Sequence, residues 1–307
     1  MKKIVYSKHS PNERCGIAYF SQSLAKHLSA LHVQNIKKFT RCDELYINID
    51  ILELLESEVN NLLQFISSGW AKKNILIMHD YRFSHLEDML IGHSDLVVNL
   101  SGESALNQKS RGKILELFTP STIEKPILGF SNRKNRPLSL SFGFFSHRKK
   151  SLKMYISFYK YMLKYYPDWF HIIVASSHIG QDDNDVLSLS RYLKSESICL
   201  MNFLPNTILS EFINSSDLGV CFYPTGIMLN NMASMSFFSQ AKPVITTYGE
   251  LTPQYFTKFT LDVNNLRKIS FSDLNNLKKV GKRAYKYYWA NLSWEVLIKK
   301  IYSYLYT

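Results

Sequence analysis

The chain has 307 residues, 46% of them hydrophobic and 20% charged, a balance that excludes a disordered chain and allows two domains with separate cores. No apolar run reaches the roughly 18–20 residues that span a bilayer, and the run that follows Lys3 is too short for a secretory signal. The four cysteines show neither a Cys-x-x-Cys pair nor a zinc-binding spacing. We therefore expect a cytoplasmic protein with reduced, structural cysteines.

The net charge of +12 lies almost wholly in the second half of the chain. Residues 1–130 hold 15 Lys and Arg against 14 Asp and Glu, whereas residues 131–307 hold 22 against 11. A basic half suits a nucleotide diphosphate, an anionic membrane surface or nucleic acid as a partner. A solvated basic face without any partner is the alternative.

The first half of the chain alternates strand-like and helix-like segments. Residues 4–6 predict a short strand, and apolar residues spaced three or four apart predict an amphipathic helix over residues 16–31. Residues 74–78 and 95–100 are nearly continuous apolar runs, typical of strands buried on both faces of a parallel sheet. This alternation predicts a doubly wound α/β domain.

A polar, charged segment closed by proline, residues 129–137, predicts a domain boundary. A second α/β series follows, with strands predicted at residues 138–145, 170–175, 197–202, 218–223 and 244–247. The tail predicts a helix over residues 278–306 with a break near residues 291–293. We therefore expect a first domain at 1–130, a second at 131–285, and a C-terminal helix at 286–307 that packs back on the first domain.

Two motifs in the first half carry candidate functional residues. Gly16 and Ile17 follow Cys15 at a loop-to-helix junction, where a glycine lets a ligand approach the backbone and the helix N-terminus attracts anions. His79 and Asp80 come just past the strand at 74–78, at the end where sites form. A lone strand-end histidine is otherwise structural, and no pair of histidines has metal-binding spacing, so we expect no metal.

Three motifs in the second half complete the candidate site. A basic run, Arg148-Lys-Lys150, follows Gly143 and begins a helical pattern, where positive charge opposes the helix dipole. Pro205 and Asn206 form a turn. Residues 217–247 predict strand, polar loop, helix and strand, and this loop is where we expect a diphosphate, at Thr225, Gly226, Ile227, Leu229, Asn230, Asn231 and Met232.

The order of aspartate, apolar strand, proline, loop, helix and Lys242-Pro-Val-Ile resembles the donor-binding half of GT-B glycosyltransferases of family 4. The opening Cys15-Gly-Ile-Ala is similar to one found in a bacterial branch of that family. The resemblance implies two Rossmann-like domains facing a central cleft. The family usually places two glutamates on the loop and helix, and here those positions are Met228 and Ser236. Some branches lack the pair and have a glycine-and-polar loop instead.

The resemblance also implies roles for the candidate residues. Lys149 matches a pyrophosphate-binding lysine, while the usual arginine position is Phe144, so Arg148 is expected to supply that charge. His79 is expected to contact the transferred sugar, with Asp80 beside it orienting the ring or the acceptor. The backbone at Pro205 and Asn206 would pair with the nucleotide base, and Gly16 and Ile17 would approach the diphosphate and acceptor.

The expected function is transfer of a sugar, with retention, from a nucleotide-diphosphate sugar to a glycan or lipid-linked acceptor in surface polysaccharide biosynthesis. Catalysis is assigned to His79, Lys149 and Arg148, and no cofactor is expected beyond the nucleotide sugar as co-substrate. Peripheral contact with an anionic membrane is expected, and nucleic acid is not. The alternative is a glycosyltransferase-like binding or scaffold subunit without turnover, since both glutamate positions are lost. An epimerase of the same fold would need a carboxylate cluster in the second half, which the sequence lacks.

Overall fold

The computed structural model describes residues 1–10, 15–50, 54–81, 84–100, 114–126, 136–143, 152–175, 195–201 and 203–306. The chain forms two compact units. Unit 1 comprises Met1–Thr122 and Trp294–Thr307, and unit 2 comprises Ile123–Ser293. Each unit contains a six-stranded parallel sheet with flanking helices, as the alternating sequence pattern predicted.

In unit 1 the strands alternate with helices along the chain. In order, its first part contains β1 (Lys3–Tyr6), α1 (Gly16–Leu28), β2 (Leu31–Val33), β3 (Cys42–Ile49), α2 (Glu56–Ser67), β4 (Ala71–Met78), α3 (His85–His93), β5 (Leu96–Asn99) and β6 (Ile114–Glu116). A short 3-10 helix, Ile36–Lys38, lies in the connection from β2 to β3. Its core is built from the apolar strand residues and the inner faces of α1 and α2.

Unit 2 repeats the same layering with longer connections after its last strands. Its elements are β7 (Leu138–Gly143), α4 (Leu152–Tyr165), β8 (Phe170–Ala175), β9 (Ile198–Met201), α5 (Asn206–Ser215), β10 (Leu218–Cys221), α6 (Met232–Ser239), β11 (Val244–Thr246), β12 (Leu261–Asp262) and α7 (Leu274–Asn291). Two 3-10 helices, Gln254–Lys258 and Val263–Lys268, flank β12. Aromatic side chains of α4 fill much of the core against β10.

The strand order decides where a ligand can bind. The first sheet runs β2-β1-β3-β4-β5-β6 and the second runs β12-β11-β10-β7-β8-β9, and the paired strands are parallel. The direction of the connections reverses between β1 and β3, and again between β7 and β10. In doubly wound sheets a crevice opens beyond the carboxyl ends of the strands at such a reversal.

The chain ends in unit 1 with a final helix, α8 (Trp294–Leu305). The predicted break in the tail lies at Leu292 and Ser293, between α7 and α8. The Trp294 indole N–H donates to the Ser121 carbonyl at 2.8 Å, and its ring stacks on that of His27 with centroids 5.0 Å apart. Trp294 therefore anchors α8 against α1. Within the described residues, no helix is long and apolar enough to cross a membrane.

Candidate functional site

The loop between β10 and α6 is tied to the strand beside it. The Tyr223 N–H donates to Thr247 Oγ1 at 2.9 Å, and the Thr247 hydroxyl donates to the Tyr223 carbonyl at 2.6 Å. The Ile227 N–H donates to the Thr247 carbonyl at 2.9 Å, and the Ile227 side chain is fully buried. These bonds hold the loop at the carboxyl edge of the sheet, beside the reversal point between β7 and β10.

Gly226 makes this loop path possible. Its φ is +88°, and a Cβ added there would lie 2.3 Å from the Gly249 nitrogen and 2.4 Å from Thr252 Oγ1. Gly249 is equally crowded, since its Cβ would lie 2.2 Å from the Thr225 carbonyl oxygen. Only glycine fits both the backbone conformation and the close approach of the two loops.

The N-terminus of α6 leaves backbone donors without acceptors. The Met228 N–H donates to Asn231 Oδ1 at 2.5 Å, and the Met232 N–H donates to the Asn230 carbonyl at 3.0 Å. In the part of the chain that the structure describes, no group accepts from the N–H of Leu229 or Ala233. Two free donors at a helix N-terminus, at the reversal point of the sheet, form a site suited to phosphate.

The seven predicted residues of this loop differ in hydrogen bonding and in exposure. The N–H groups of Gly226 and Asn231 are also occupied, by the carbonyls of Tyr223 at 3.1 Å and Met228 at 3.3 Å. The Asn231 side chain stabilises the loop itself, because its Oδ1 accepts the hydrogen bond from the Met228 N–H. Thr225 is exposed, and Leu229, Asn230 and Met232 are half-buried. The N–H groups of Gly226, Ile227, Asn231 and Met232 are therefore occupied, whereas no group in the described chain accepts from the N–H of Leu229.

The two positions where the family that the sequence resembles usually has glutamates contain no substitute for a carboxylate. Met228 is half-buried in the loop. Ser236 is buried inside α6, and its hydroxyl donates to the Met232 carbonyl at 2.9 Å, so it is not available to a ligand. Any charge-stabilising role at this site must come from other residues.

The neighbouring strand β7 ends at Gly143, whose φ of +121° lies in the region that favours glycine. The basic residues that follow it, Arg148 and Lys149, lie outside the described residues. Pro205 is exposed and precedes α5, and the half-buried Asn206 is its first residue. The structure therefore places Gly143 at the reversal point and the Pro205 turn after the edge strand β9.

In unit 1 a chain of polar side chains leads from α1 to His79. The Ser21 hydroxyl donates to the Ile17 carbonyl at 2.8 Å, and the Asn48 amide N–H donates to Ser21 Oγ at 2.6 Å. The Asn48 Oδ1 lies 2.9 Å from His79 Nε2. Because Asn48 presents its oxygen to the ring, Nε2 must carry the proton and Nδ1 is an acceptor.

The surroundings of His79 keep the imidazole neutral. Burial lowers the pKa of His79 to about 4, although the negative charge of Asp50 opposes that shift. The ring packs edge-on against Phe20 with centroids 4.9 Å apart. At neutral pH His79 is therefore a fixed, uncharged ring that can accept a hydrogen bond at Nδ1. Asp80, next in sequence, is exposed.

The N-terminus of α1 is a second backbone-donor site. Cys15 caps the helix through Sγ, which accepts the Ala18 N–H at 3.3 Å. Within the described chain, no group accepts from the N–H of Gly16 or Ile17. The structure thus brings Gly16, Ile17 and His79 together at the carboxyl edge of the first sheet, with Asn48 linking the helix to the ring.

Asn48 and Ser21 were missed by sequence reasoning. Asn48 stands inside the buried strand β3 and is itself fully buried, as is Ser21 on α1. A polar residue within an apolar run was the available signal, because a buried amide needs partners. Among the described residues, no cluster of three or more His, Cys, Asp or Glu side chains could hold a metal.

Comparison with known proteins supports the architecture. No protein-family model matches the sequence, and neither does any curated protein. Solved structures do match. Sucrose-phosphate synthase from Thermosynechococcus elongatus is similar with a TM-score of 0.67 and 12% identity, over 100% of this chain and 99% of that one. A glycosyltransferase from Rickettsia africae ESF-5 has a TM-score of 0.66 and 13% identity, over 99% and 97%.

A point mutant of TarM from S. aureus, solved with fondaparinux, alpha-GlcNAc-glycerol and UDP, has a TM-score of 0.61 and 12% identity. That likeness covers 86% of this chain and 55% of TarM. At identities this low the likeness shows the fold alone. The chain has the GT-B fold, with two Rossmann-like parallel sheets.

Proposed function

We propose that this protein is a glycosyltransferase that uses a nucleotide-diphosphate sugar. The observation that carries this proposal is the N-terminus of α6, where the N–H groups of Leu229 and Ala233 have no acceptor among the described residues, at the reversal point of the second sheet. The structural neighbours include a glycosyltransferase and a protein solved with UDP. A diphosphate bound to these donors would also meet the positive end of the α6 dipole.

The diphosphate needs cations as well as backbone donors. Lys149 and Arg148 follow Gly143 closely in sequence, and Gly143 ends the strand beside β10. A guanidinium binds phosphate with two parallel hydrogen bonds, and a lysine acts as a point charge. The nucleotide base is assigned to the backbone at Pro205 and Asn206.

Transfer with retention, as in family 4, would rest on stabilising the leaving diphosphate, because Met228 and Ser236 supply no carboxylate. Preorganised donors and cations aimed at developing negative charge are often the largest single catalytic contribution. In unit 1, the neutral His79 would accept a hydrogen bond at Nδ1 from a hydroxyl of the sugar. Gly16 and Ile17 would hold anionic or hydroxyl groups of the donor or acceptor, and Asp80 would orient the acceptor.

The acceptor is proposed to be a glycan or a lipid-linked glycan of surface polysaccharide synthesis. Helix α7 supports contact with an anionic membrane, since it has five exposed basic residues and no acidic one: Lys278, Lys279, Lys282, Arg283 and Lys286. Binding to anionic vesicles should weaken with salt and fall when the four lysines among them are replaced by glutamine. Salt-independent binding, or none, would remove the membrane from the proposal.

A scaffold subunit without turnover is the second candidate, favoured by the missing carboxylates at Met228 and Ser236. The two functions are separated by incubating the protein with radiolabelled nucleotide sugars and measuring release of the nucleoside diphosphate. A transferase releases it when an acceptor is added, and Lys149→Ala lowers that rate at least tenfold. Lys164→Ala removes the same charge from the exposed far end of α4 and should leave the rate unchanged. Binding without release would favour the scaffold.

A further inference from the structure

Unit 1 contains an open groove on the α2 side of its sheet that the proposed function does not use. The groove has a volume of about 690 Å³ and lies between α2 and the segment at residues 34–37. Its floor includes Tyr6 and Phe65, and Trp70 lies at the end reached by the C-terminus of α2. The 12 residues of α2 give a length of about 18 Å, enough for more than one sugar ring.

Tyr6 lines this groove, with a buried ring and a hydroxyl that makes no hydrogen bond to the described residues. The side chain is only 2% exposed, and none of the described residues exchanges a hydrogen bond with its hydroxyl. Burial, aided by the negative charge of Glu58, raises the pKa of Tyr6 to about 12, so the hydroxyl stays protonated and can donate. A protonated hydroxyl that lines the groove and has no partner in the described chain can donate a hydrogen bond to a bound ligand.

The walls carry further polar groups that make no internal bonds. The side-chain amides of Gln34, Asn61 and Gln64 are exposed and have no hydrogen-bond partner within the described chain. Each amide offers both donors and an acceptor, the combination that neighbouring sugar hydroxyls need. Trp70 is 40% exposed, and its ring rests on Phe65 with centroids 5.3 Å apart. A supported, half-exposed indole offers a flat apolar face with a polar edge.

Among the described residues that line the groove, the charges nearly cancel. Lys8 and Glu58 form an ion pair at 2.9 Å, which leaves Lys37 as the one other charged side chain among the described lining residues. A polyanion needs an array of cations, and an apolar peptide would leave the amides unsatisfied. Flat aromatic surface combined with unpaired amides fits a neutral, polyhydroxylated chain.

We infer that this groove is a binding site for a neutral oligosaccharide, which stacks on Trp70 and hydrogen-bonds to the amides of Asn61 and Gln64 and to the Tyr6 hydroxyl. The site lies on the opposite side of the sheet from His79, because Tyr6 packs toward Phe39 and α2 whereas Asn48 points toward α1. It can therefore hold part of a glycan remote from the reacting hydroxyl, or bind glycan whether or not transfer occurs.

Tryptophan fluorescence tests the inference in the full-length protein. Trp70 and Trp289 are 40% and 39% exposed, whereas Trp169 and Trp294 are buried, so in a Trp289→Phe variant the emission that responds to ligand comes from Trp70. Maltohexaose, cellohexaose and chitohexaose are titrated to millimolar concentration, with a heparin hexasaccharide as the anionic probe. At least one neutral hexasaccharide should shift or quench the emission, and its affinity should be insensitive to salt.

Calorimetry of variants then locates the site. Trp70→Ala should weaken binding at least tenfold and Trp70→Phe by less, and Trp289→Ala is the control for an equally exposed tryptophan in unit 2. The double variant Asn61→Ala, Gln64→Ala changes only exposed side chains and should also weaken binding, which keeps the test valid if Trp70→Ala misfolds. No response to any neutral hexasaccharide, salt-dependent binding of heparin alone, or equal loss in Trp289→Ala would overturn the inference.

This inference and the proposed function can fail separately. Donor binding belongs to unit 2 and is measured in the same variants. Trp70→Ala should leave nucleotide binding unchanged. Oligosaccharide binding without any nucleotide binding would support the groove as a glycan site and refute the proposed transferase. Nucleotide binding without oligosaccharide binding would support the proposed transferase and refute the glycan site.

Discussion

Replacing Gly226 with alanine tests whether the conformation of the loop before α6 is needed for the proposed binding of a nucleotide diphosphate. The alanine would have to adopt a φ of +88°, and its Cβ would overlap the Gly249 nitrogen at 2.3 Å. Gly69 offers a matched control, because its φ is +70° but nothing lies within 4 Å of an added Cβ. Both substitutions meet the left-handed backbone penalty, and only Gly226→Ala adds the overlap.

The magnitudes follow from these two contributions. A non-glycine residue in the left-handed region costs about 1–2 kcal/mol, which is the whole expected effect of Gly69→Ala. In Gly226→Ala one of the two loops must also move, and the Ile227 hydrogen bond to the Thr247 carbonyl at 2.9 Å is lost or lengthened, for about 1 kcal/mol more. We expect Gly226→Ala to lower the free energy of unfolding of unit 2 by about 2–3 kcal/mol.

Urea denaturation of both variants measures the difference, and calorimetry with the donor measures its consequence. Gly226→Ala should weaken nucleotide binding at least tenfold while unit 1 keeps its stability. Gly69→Ala should leave nucleotide binding unchanged. A Gly226→Ala protein as stable as Gly69→Ala, with unchanged nucleotide affinity, would refute the loop geometry and its link to the donor.

Three other substitutions test separate parts of the structure. Asn48→Ala should lower the unfolding free energy of unit 1 by about 1–3 kcal/mol, by leaving its buried partners unpaired, and should slow transfer; equal stability by urea denaturation would contradict the polar chain. Burial, with the charge of Arg136, lowers the pKa of His171 to about 4, below the unfolded value near 6.5. The unfolding free energy of unit 2 should therefore fall by about 2–3 kcal/mol as the pH falls from 6.5 to 4. His171→Phe should remove most of this pH dependence. Trp294→Ala should lower the unfolding free energy of unit 1 by about 3–5 kcal/mol. A decrease under about 1 kcal/mol would show that Trp294 does not anchor α8.

The sequence predicted the α/β architecture because most strands are short apolar runs flanked by turn residues. The strand predicted at residues 170–175 is β8 itself, and the break before Trp294 lies where the pattern placed it. These features are local, and hydrophobic periodicity reports them directly. The GT-B fold was expected from the resemblance of residues 217–247 to GT-B glycosyltransferases of family 4.

The central strand β3 was missed because Asp43, Glu44 and Asn48 interrupt its apolar pattern. In the structure Glu44 is buried and accepts hydrogen bonds from Tyr46, at 2.7 Å, and from Tyr306. Tyr306 lies near the other end of the chain, so no local pattern could show that Glu44 is paired. The hydrogen bond between Asn48 and His79 also joins residues that are far apart in sequence, so no local pattern could show it.

The hydrogen bonds within the loop between β10 and α6 could not be predicted from the sequence either. Asn230 and Asn231 are neighbouring residues of the same type, yet it is the Asn231 side chain that accepts a hydrogen bond from the Met228 N–H. Which backbone N–H groups remain available depends on the path set by Gly226 and Thr247. The sequence predicted where the loop lies, but not which of its backbone N–H groups have no acceptor.

Binding of nucleotides to the whole protein tests the central claim most directly. Isothermal calorimetry against uridine, guanosine, adenosine and thymidine diphosphates and their sugars would measure it. One nucleoside diphosphate should bind and be displaced by its own sugar form, and Gly226→Ala should weaken that binding while Gly69→Ala does not. If no member of the panel binds, the N-terminus of α6 is not a diphosphate site and the proposed transferase function is wrong.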